Sequence, residues 1–339
     1  MNRNNQLTSS FNRRFTIQQK FLTANEKTVI NLFDSELQAK RLNKALNGFI
    51  ADVNTISEIL GTINEYEIIR LLQDYKRIYG KKLSSILNDK LAGDYEELCQ
   101  IIILEQKDFI VKKLDELLQE YPHPKEDYLI ALLIERTNDE IKIIKDTYLK
   151  KFGRTLEEAF DSFLDPIGSS YIKILLNSNR EDDLNLTSLQ AHLDAQTLIN
   201  LGIGTQYNGS GPIMVTLLKK RGYQHMRLVF SEYYRISGGY NVWDCIEKNM
   251  RKEHKKMLKI IMEAINNPEI FIANILLKSY GNSKLFCDTL VTVRFSRNKE
   301  FYKTVEHMYT DIRNNKMRED IQIHSKDSVA SLLCKIIDI

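Results

Sequence analysis

The sequence predicts an all-α protein built from four copies of a five-helix unit. The first observation is a short phrase of residues that recurs along the chain with the same internal spacing. Its copies read Ile63, Tyr75, Tyr79-Gly80 and Leu83; Arg136, Tyr148, Phe152-Gly153 and Leu156; Arg221, Tyr233 and Ser237-Gly238; and, more faintly, Arg297 and Tyr309. The copies begin 73, 85 and 76 residues apart. A period of this size indicates a repeat architecture.

Composition is the second observation. The chain has 339 residues, of which 43% are hydrophobic and 27% charged, a balance typical of a soluble globular protein. It contains only five prolines and fourteen glycines, and the prolines lie between apolar periodic stretches, where helical proteins tolerate them. No apolar run reaches 18 residues, so we expect no transmembrane segment.

Helical periodicity within the first copy is the third observation. Apolar residues from Ile68 to Tyr79 recur at spacings of four, three and four, which places them on one helix face. Gly80 ends this helix and Gly93 breaks the chain again. The five predicted helices begin at Ser35, near Asp52, near Glu65, at Leu83 and at Tyr95. Each apolar stripe is too wide to stay exposed, so the units must pack on one another.

The later copies follow the same plan. The second has a helix predicted over Asp127 to Arg136, and Thr137 with Glu140 forms a capping box for the next helix. The third has a long glycine-rich loop before a helix over Ile213 to Arg221, and the fourth, Phe271 to Ile337, has diverged most. The predicted domains are a basic head over 1–28 and repeats over 29–106, 107–182, 183–266 and 267–339.

Charge and cysteine usage narrow the functional classes. The net charge of +3 gives no reason to expect a nucleic-acid partner. Residues 1–25 carry four basic residues and no acidic one, which fits either a solvated head or a weak tether to an acidic surface. The cysteines Cys99, Cys245, Cys287 and Cys334 each fall in an apolar helical run, as expected of core residues in a reducing compartment.

Residue types that support catalysis show no recognisable arrangement. The six histidines show no metal-ligand spacing with one another or with cysteine. No glycine-rich phosphate loop follows a strand, and no Ser/His/Asp or Cys/His arrangement can be placed. We therefore expect that the protein is not an enzyme. The cysteine usage and the lack of an apolar run of 18 residues predict a cytoplasmic location.

The period, the helix punctuation and the Tyr/Phe-Gly-x-x-Leu signature resemble the annexin family from about residue 30 to the end. The stretches Ile134–Glu158 and Phe230–Gly238 are similar to annexins throughout. The resemblance implies four annexin-type repeats of five helices each, packed into a curved disc, with calcium loops on one face that bridge to acidic phospholipid. The Asn-, Ile- and Lys-rich composition is compatible with a divergent protist member, similar to the alpha-giardins.

The family's main calcium loop is eroded in the first repeat. Such a site combines a Gly-x-Gly-Thr loop, whose carbonyls point inward, with a carboxylate near the start of the fifth helix, since calcium takes six to eight oxygen ligands. Here the loop reads Asn47-Gly48-Phe49-Ile50-Ala51-Asp52, and Lys90 stands at the carboxylate position. A positive charge therefore lies where the cation is expected.

The other repeats keep only parts of the main site. In the second repeat the loop is Pro122-His123-Pro124, but Asp165 remains a candidate carboxylate. The third and fourth present Asn249 and His324 at that position. The third repeat also contains a literal Gly202-Ile203-Gly204-Thr205, with Asp244 at the family's gap but inside the predicted fourth helix. A rearranged calcium site and a chance match in a loop both remain open there.

A secondary calcium loop is better preserved. The segment Leu91–Glu96 matches the family's minor site, in which carbonyls around Gly93 and the carboxylate of Glu96 hold a weaker calcium. The alternative is that Asp94 and Glu96 only favour a helix N-terminus. The candidate calcium-binding residues are therefore Gly48, Gly93, Glu96, Asp165, Gly202, Gly204 and Asp244.

Two functions follow from the resemblance and these departures. The first is calcium-dependent peripheral binding to acidic phospholipids through weak or non-standard loops. The alternative is a calcium-independent structural scaffold with a cytoskeletal or other protein partner. Either function places the protein at the inner face of the plasma membrane or at the cytoskeleton.

Overall fold

All regular elements that the structure describes are helices, as predicted. The structure is a computed structural model that describes residues 33–120, 125–181, 183, 187–201, 213–249, 252–279, 286–291 and 299–338. The chain divides into two compact units, unit 1 up to Ile103 and unit 2 from Leu104 onward. This division falls close to the first predicted repeat boundary. The predicted boundaries near 182 and 266 lie inside unit 2 and stay predictions.

The helix bounds follow the predicted order. Unit 1 contains α1 (Ser35–Leu46), α2 (Val53–Thr62), α3 (Glu65–Tyr79), α4 (Leu83–Lys90) and α5 (Gly93–Ile102). Unit 2 begins with α6 (Gln106–Leu118), α7 (Glu126–Leu133), α8 (Asn138–Phe152), α9 (Leu156–Phe163) and α10 (Pro166–Ile172), which a 3-10 turn extends to Leu176. It continues with α11 (Ser188–Leu201), α12 (Ile213–Lys220), α13 (Tyr223–Ile236), α14 (Val242–Asn249), α15 (Lys252–Asn266) and α16 (Pro268–Lys278). The last four are α17, described over 286–291, α18 (Lys299–Arg313), α19 (Met317–His324) and α20 (Asp327–Ile337).

Local sequence signals place most helix ends. The capping box predicted at Thr137 and Glu140 is confirmed at the start of α8, and it satisfies backbone N–H groups that have no partner inside the helix. Two boundaries differ from the prediction. The helix expected to reach Arg136 ends at Leu133, because Glu135 adopts a left-handed backbone with φ of 61°. The fifth helix begins at Gly93 and ends at Ile102.

A buried tyrosine anchors the third helix of the recurring pattern. Tyr75, Tyr148, Tyr233 and Tyr309 are all buried. A buried hydroxyl without a partner is costly, and each of three of these hydroxyls donates to a side chain of another helix. The bonds join Tyr75 to Asn43 at 3.0 Å, Tyr148 to Asp115 at 2.6 Å and Tyr309 to Asp320 at 2.7 Å.

The residue five positions after each tyrosine turns the chain in a left-handed conformation. Gly80, Gly153 and Gly238 have φ of 66°, 71° and 78°. In the fourth copy this place is taken by Asn314 with φ of 56°, and asparagine is one of the few other residues that adopts this conformation readily. The sequence pattern identified only Arg297 and Tyr309 there. The fourth copy is therefore better preserved than its sequence suggested.

Helix α7 lies at the centre of unit 2. All residues from Tyr128 to Leu133 are buried, and α7 packs against α6, α10, α15 and α16. The Tyr128 hydroxyl donates to the Ile275 carbonyl at 3.3 Å, and Lys278 pairs with Asp127 at 3.0 Å. A helix that is apolar on every side is expected to be buried in this way.

A buried ionic cluster forms around the arginine of the third copy. Arg221 donates to both oxygens of Asp194 at 2.7 and 2.9 Å, and His225 Nε2 lies 2.8 Å from the same carboxylate. Burial alone would raise the pKa of Asp194, but the hydrogen bonds from Arg221, His225 and Gln190 outweigh it and lower that pKa. The carboxylate is therefore held charged inside the unit.

The described cysteines match the prediction of core residues. Cys99, Cys287 and Cys334 are free and buried, and burial raises the pKa of the Cys99 thiol to about 12. The side chain of Cys245 lies outside the described residues.

Membrane-spanning length is not reached by any single helix in the described ranges. One strongly bent pair, His254–Asn266 with Pro268–Lys278, reaches the length and apolarity only when its two members are taken together.

Replacing Gly153 tests the left-handed helix end. A Cβ at this position would meet no atom within 4 Å, so the cost of Gly153→Ala arises from the backbone alone. We expect the free energy of unfolding to fall by about 1 kcal/mol, and by less in Gly153→Asn. Denaturant titration measures both values, and equal losses for alanine and asparagine would contradict this account.

Replacing Asp194 tests the buried cluster and its pH dependence. Asp194→Asn removes the buried carboxylate from Arg221 and leaves it only the more exposed Glu181 as a charged partner, and we expect a loss of about 3 kcal/mol at pH 7. Because the folded-state pKa of Asp194 is lowered, its contribution is present above the unfolded pKa of about 3.9 and is lost as pH falls through the folded value. The difference in the free energy of unfolding between wild type and Asp194→Asn should therefore become smaller below about pH 4. Asp139→Asn, which removes an exposed pair to Lys142, is the control and should change stability little.

Candidate functional site

The loop between α1 and α2, which contains Gly48, is a closed turn. The Asp52 N–H donates to the Ala45 carbonyl at 2.9 Å. A Cβ on Gly48 would lie 2.9 Å from the Ile50 carbonyl oxygen, so glycine is needed for the tight approach. The hydroxyl and N–H of Thr55 donate to the Asp52 carboxylate at 2.7 and 3.1 Å and hold its pKa below the usual range. Asp52 therefore caps α2.

The loop between α4 and α5 lies at the same end of unit 1. The Tyr95 hydroxyl donates to the Val53 carbonyl at 3.0 Å and lies 2.8 Å from the Ser57 hydroxyl, which ties the start of α5 to the start of α2. Lys90 is exposed in the last turn of α4, where a cation complements the helix dipole. The two loops of the predicted main calcium site thus share one end, with an ammonium group at the predicted carboxylate position.

Glu96 is the least committed candidate carboxylate. Gly93 opens α5 with φ of 67°, and Glu96 follows in the first turn, half-buried. Its carboxylate makes no hydrogen bond or ion pair with any residue that the structure describes. A free carboxylate beside a left-handed glycine fits the predicted minor calcium loop, and it also complements the helix N-terminus.

The second predicted repeat brings two carboxylates together. Asp165 caps α10, with one oxygen accepting from the N–H groups of Ile167 and Gly168 at 2.9 and 3.1 Å. A Cβ on Gly168 would lie 3.1 Å from the other Asp165 oxygen and 3.0 Å from Glu126 Oε1. Glu126 also accepts from Lys256 at 2.5 Å. Both carboxylates therefore border Gly168.

Sequence reasoning missed Glu126. It stands immediately after the Pro122-His123-Pro124 loop, and that adjacency to a candidate loop is the one local signal that pointed to it. The loop itself, residues 121–124, lies outside the described residues.

Asp244 has a structural role in the third predicted repeat. Its N–H donates to the Asn241 side chain at 2.8 Å, and its carboxylate accepts from the Asn241 N–H at 3.3 Å. This reciprocal cap starts α14 and agrees with the prediction that Asp244 lies inside the fourth helix. Gly202 and Gly204 lie outside the described residues, so a calcium site shared by them and Asp244 stays a prediction.

Side-chain metal centres of other kinds are not seen in the described part of the chain. Within it, no three His, Cys, Asp or Glu side chains converge to hold a metal ion. The candidate loops differ from such centres, because backbone carbonyls would supply most of their ligands.

Comparison with known proteins connects these features to one family. The annexin family model matches residues 37–102, which run from within α1 to the end of α5. Chicken (Gallus gallus) annexin A5 is 25% identical over 301 residues, which are 89% of this chain and 92% of that protein.

Solved structures agree over most of the chain. The structure of annexin III superimposes with a TM-score of 0.78 at 22% identity. The superposition covers 90% of this chain and 94% of the annexin III chain. A calcium-bound structure of alpha-14 giardin superimposes with a TM-score of 0.69 at 11% identity. This match covers 90% of this chain and 99% of the giardin chain. With the recurring tyrosine phrase and the helix order, these matches show that the chain has the all-α annexin fold and is similar to annexins over most of its length.

Proposed function

We propose that this protein binds acidic phospholipid surfaces peripherally and that calcium mediates the contact at a small number of non-standard loops. Glu96 carries the proposal. Its carboxylate has no partner among the described residues, it follows a glycine in left-handed conformation, and it lies at an exposed helix start. Calcium requires hard oxygen ligands and leaves positions for water and lipid phosphate when the protein supplies few.

The pair Asp165 and Glu126 supports a second loop of this kind. Both carboxylates border Gly168, and the Asp165 oxygen that lies 3.1 Å from the Cβ position of Gly168 is not the oxygen that caps α10. Two carboxylates at one point attract a divalent cation more strongly than either does alone. Lys256 already neutralises part of this charge, so calcium would have to compete with an ammonium group.

The main loops give reasons to expect weak binding. In the first repeat an ammonium group replaces the carboxylate, and Asp52 is engaged by Thr55. In the third repeat, Asp244 is engaged by Asn241. Alpha-14 giardin nevertheless has a calcium-bound structure, which supports calcium binding on this fold at very low sequence identity.

The competing function is a calcium-independent scaffold for a protein partner, located at the cytoskeleton or the inner face of the plasma membrane. Lys90 at the expected carboxylate position and Lys256 on Glu126 favour it, because both place ammonium groups where calcium would bind. Neither proposed function includes catalysis.

Co-sedimentation with phosphatidylserine vesicles across a calcium titration tests the proposal. We expect wild type to pellet with calcium, and we expect Glu96→Gln to raise the calcium concentration at half-binding about tenfold, as loss of one charged ligand implies. Asp165→Asn should have a smaller effect, because Glu126 remains.

A chelator control and one matched variant complete the experiment. Asp139→Asn makes the same carboxylate-to-amide change on the exposed face of α8 and should leave the midpoint unchanged. If calcium adds nothing to vesicle binding in wild type, the calcium-bridging function is excluded and the scaffold function is favoured.

A further inference from the structure

The tip of the loop between α1 and α2 exposes two adjacent apolar side chains. Phe49 and Ile50 are 105% and 80% exposed, the highest values for large hydrophobic residues in the described part of the chain. Single exposed apolar residues are common on protein surfaces. Two adjacent apolar side chains that are both largely exposed at one loop tip have an unfavourable hydration free energy. A partner that covers them would remove this cost.

The tip is fixed before any partner binds. The Asp52 N–H closes the loop onto the Ala45 carbonyl, and the Asn47 side chain donates to the Asn43 side chain at 2.8 Å. Gly48 allows the chain to approach the Ile50 carbonyl closely. Because the backbone is already ordered, little conformational entropy remains to be lost when the two side chains are buried.

Two exposed lysines lie at the same end of unit 1 as the tip. Lys44 lies in the last turn of α1, directly before the loop, and Lys90 ends α4 at the same end of unit 1. Both are exposed, and neither makes an ion pair or hydrogen bond with a residue that the structure describes. Apolar side chains with lysines around them match the edge of a bilayer, where the lysine stem stays apolar and its charge reaches the phosphates.

We propose that Phe49 and Ile50 insert into the hydrocarbon edge of an acidic phospholipid bilayer, with Lys44 and Lys90 contacting lipid phosphates in place of a metal. This inference rests on the proposed membrane function but not on its calcium dependence. The acidic residues at this end are Asp52, whose carboxylate is engaged in capping α2, and Asp89, Asp94 and Glu96 on the α4 to α5 side. The contact of the tip itself needs no cation.

The first test measures vesicle binding of the full chain with calcium and with chelator. Phe49→Ala/Ile50→Ala should lower affinity for phosphatidylserine vesicles at least about tenfold in both conditions, because two apolar side chains no longer leave water. The matched control is Leu37→Ala, an exposed leucine at the opposite end of α1, which should change nothing. Equal binding of the double variant and wild type would overturn the inference.

The second test follows the tip directly by fluorescence. The chain has one tryptophan, Trp243, so Trp243→Phe with Phe49→Trp places the reporter at the tip. We expect its emission to shift to shorter wavelength with vesicles, also in chelator, and to be quenched by lipids brominated in the acyl chain. Emission that stays unchanged while the protein pellets would overturn the inference and leave the calcium-mediated function standing.

A charge reversal tests the role of Lys90. Lys90→Glu should weaken the chelator-resistant spectral shift and make it more sensitive to salt, whereas Lys40→Glu on the exposed face of α1 should not.

A blue shift that depends on protein concentration without vesicles would assign the tip to a second copy of the chain and overturn the inference. If the tip inserts and neither calcium nor Glu96→Gln changes this insertion, the result supports the inference and counts against calcium bridging.

Discussion

The fold depends on where each third helix is held and where it is made to stop. A buried tyrosine with a satisfied hydroxyl fixes the helix against its neighbours, and five residues later the backbone turns left-handed. The positions Gly80, Gly153, Gly238 and Asn314 all do this, although one of them carries a side chain. In every copy this turn separates the third helix from the fourth, so it sets where the fourth helix and the loop after it begin.

Periodicity and punctuation were sufficient to predict helix order, most helix starts and the all-α class. They failed where the determining contact is distant in sequence. Glu126 and Asp165 lie 39 positions apart and meet only through the packing around Gly168, which no local pattern encodes. Asn314 was missed for another reason: the prediction searched for glycine, whereas the backbone requires only a residue that tolerates positive φ.

In this protein, helix capping and the predicted metal binding both use a carboxylate at the start of a helix. Asp52 and Asp165 start helices as N-caps, and Asp244 does so as part of a reciprocal cap. A carboxylate at such a position has a structural use even when no cation is present. Sequence alone therefore cannot separate the two roles, and the free state of Glu96 is informative because no described residue engages it.

The salt bridge between Lys113 on α6 and Asp288 on α17 has a consequence for how unit 2 comes apart. The pair is nearly inaccessible to water and closes at 2.6 Å, and it joins the first helix of the unit to its final group of helices. An open row of repeats can fray from either terminus. Here the row is closed upon itself around α7, so neither terminal group can peel away without breaking a buried ion pair. Loss of structure in this unit should therefore be a single cooperative event.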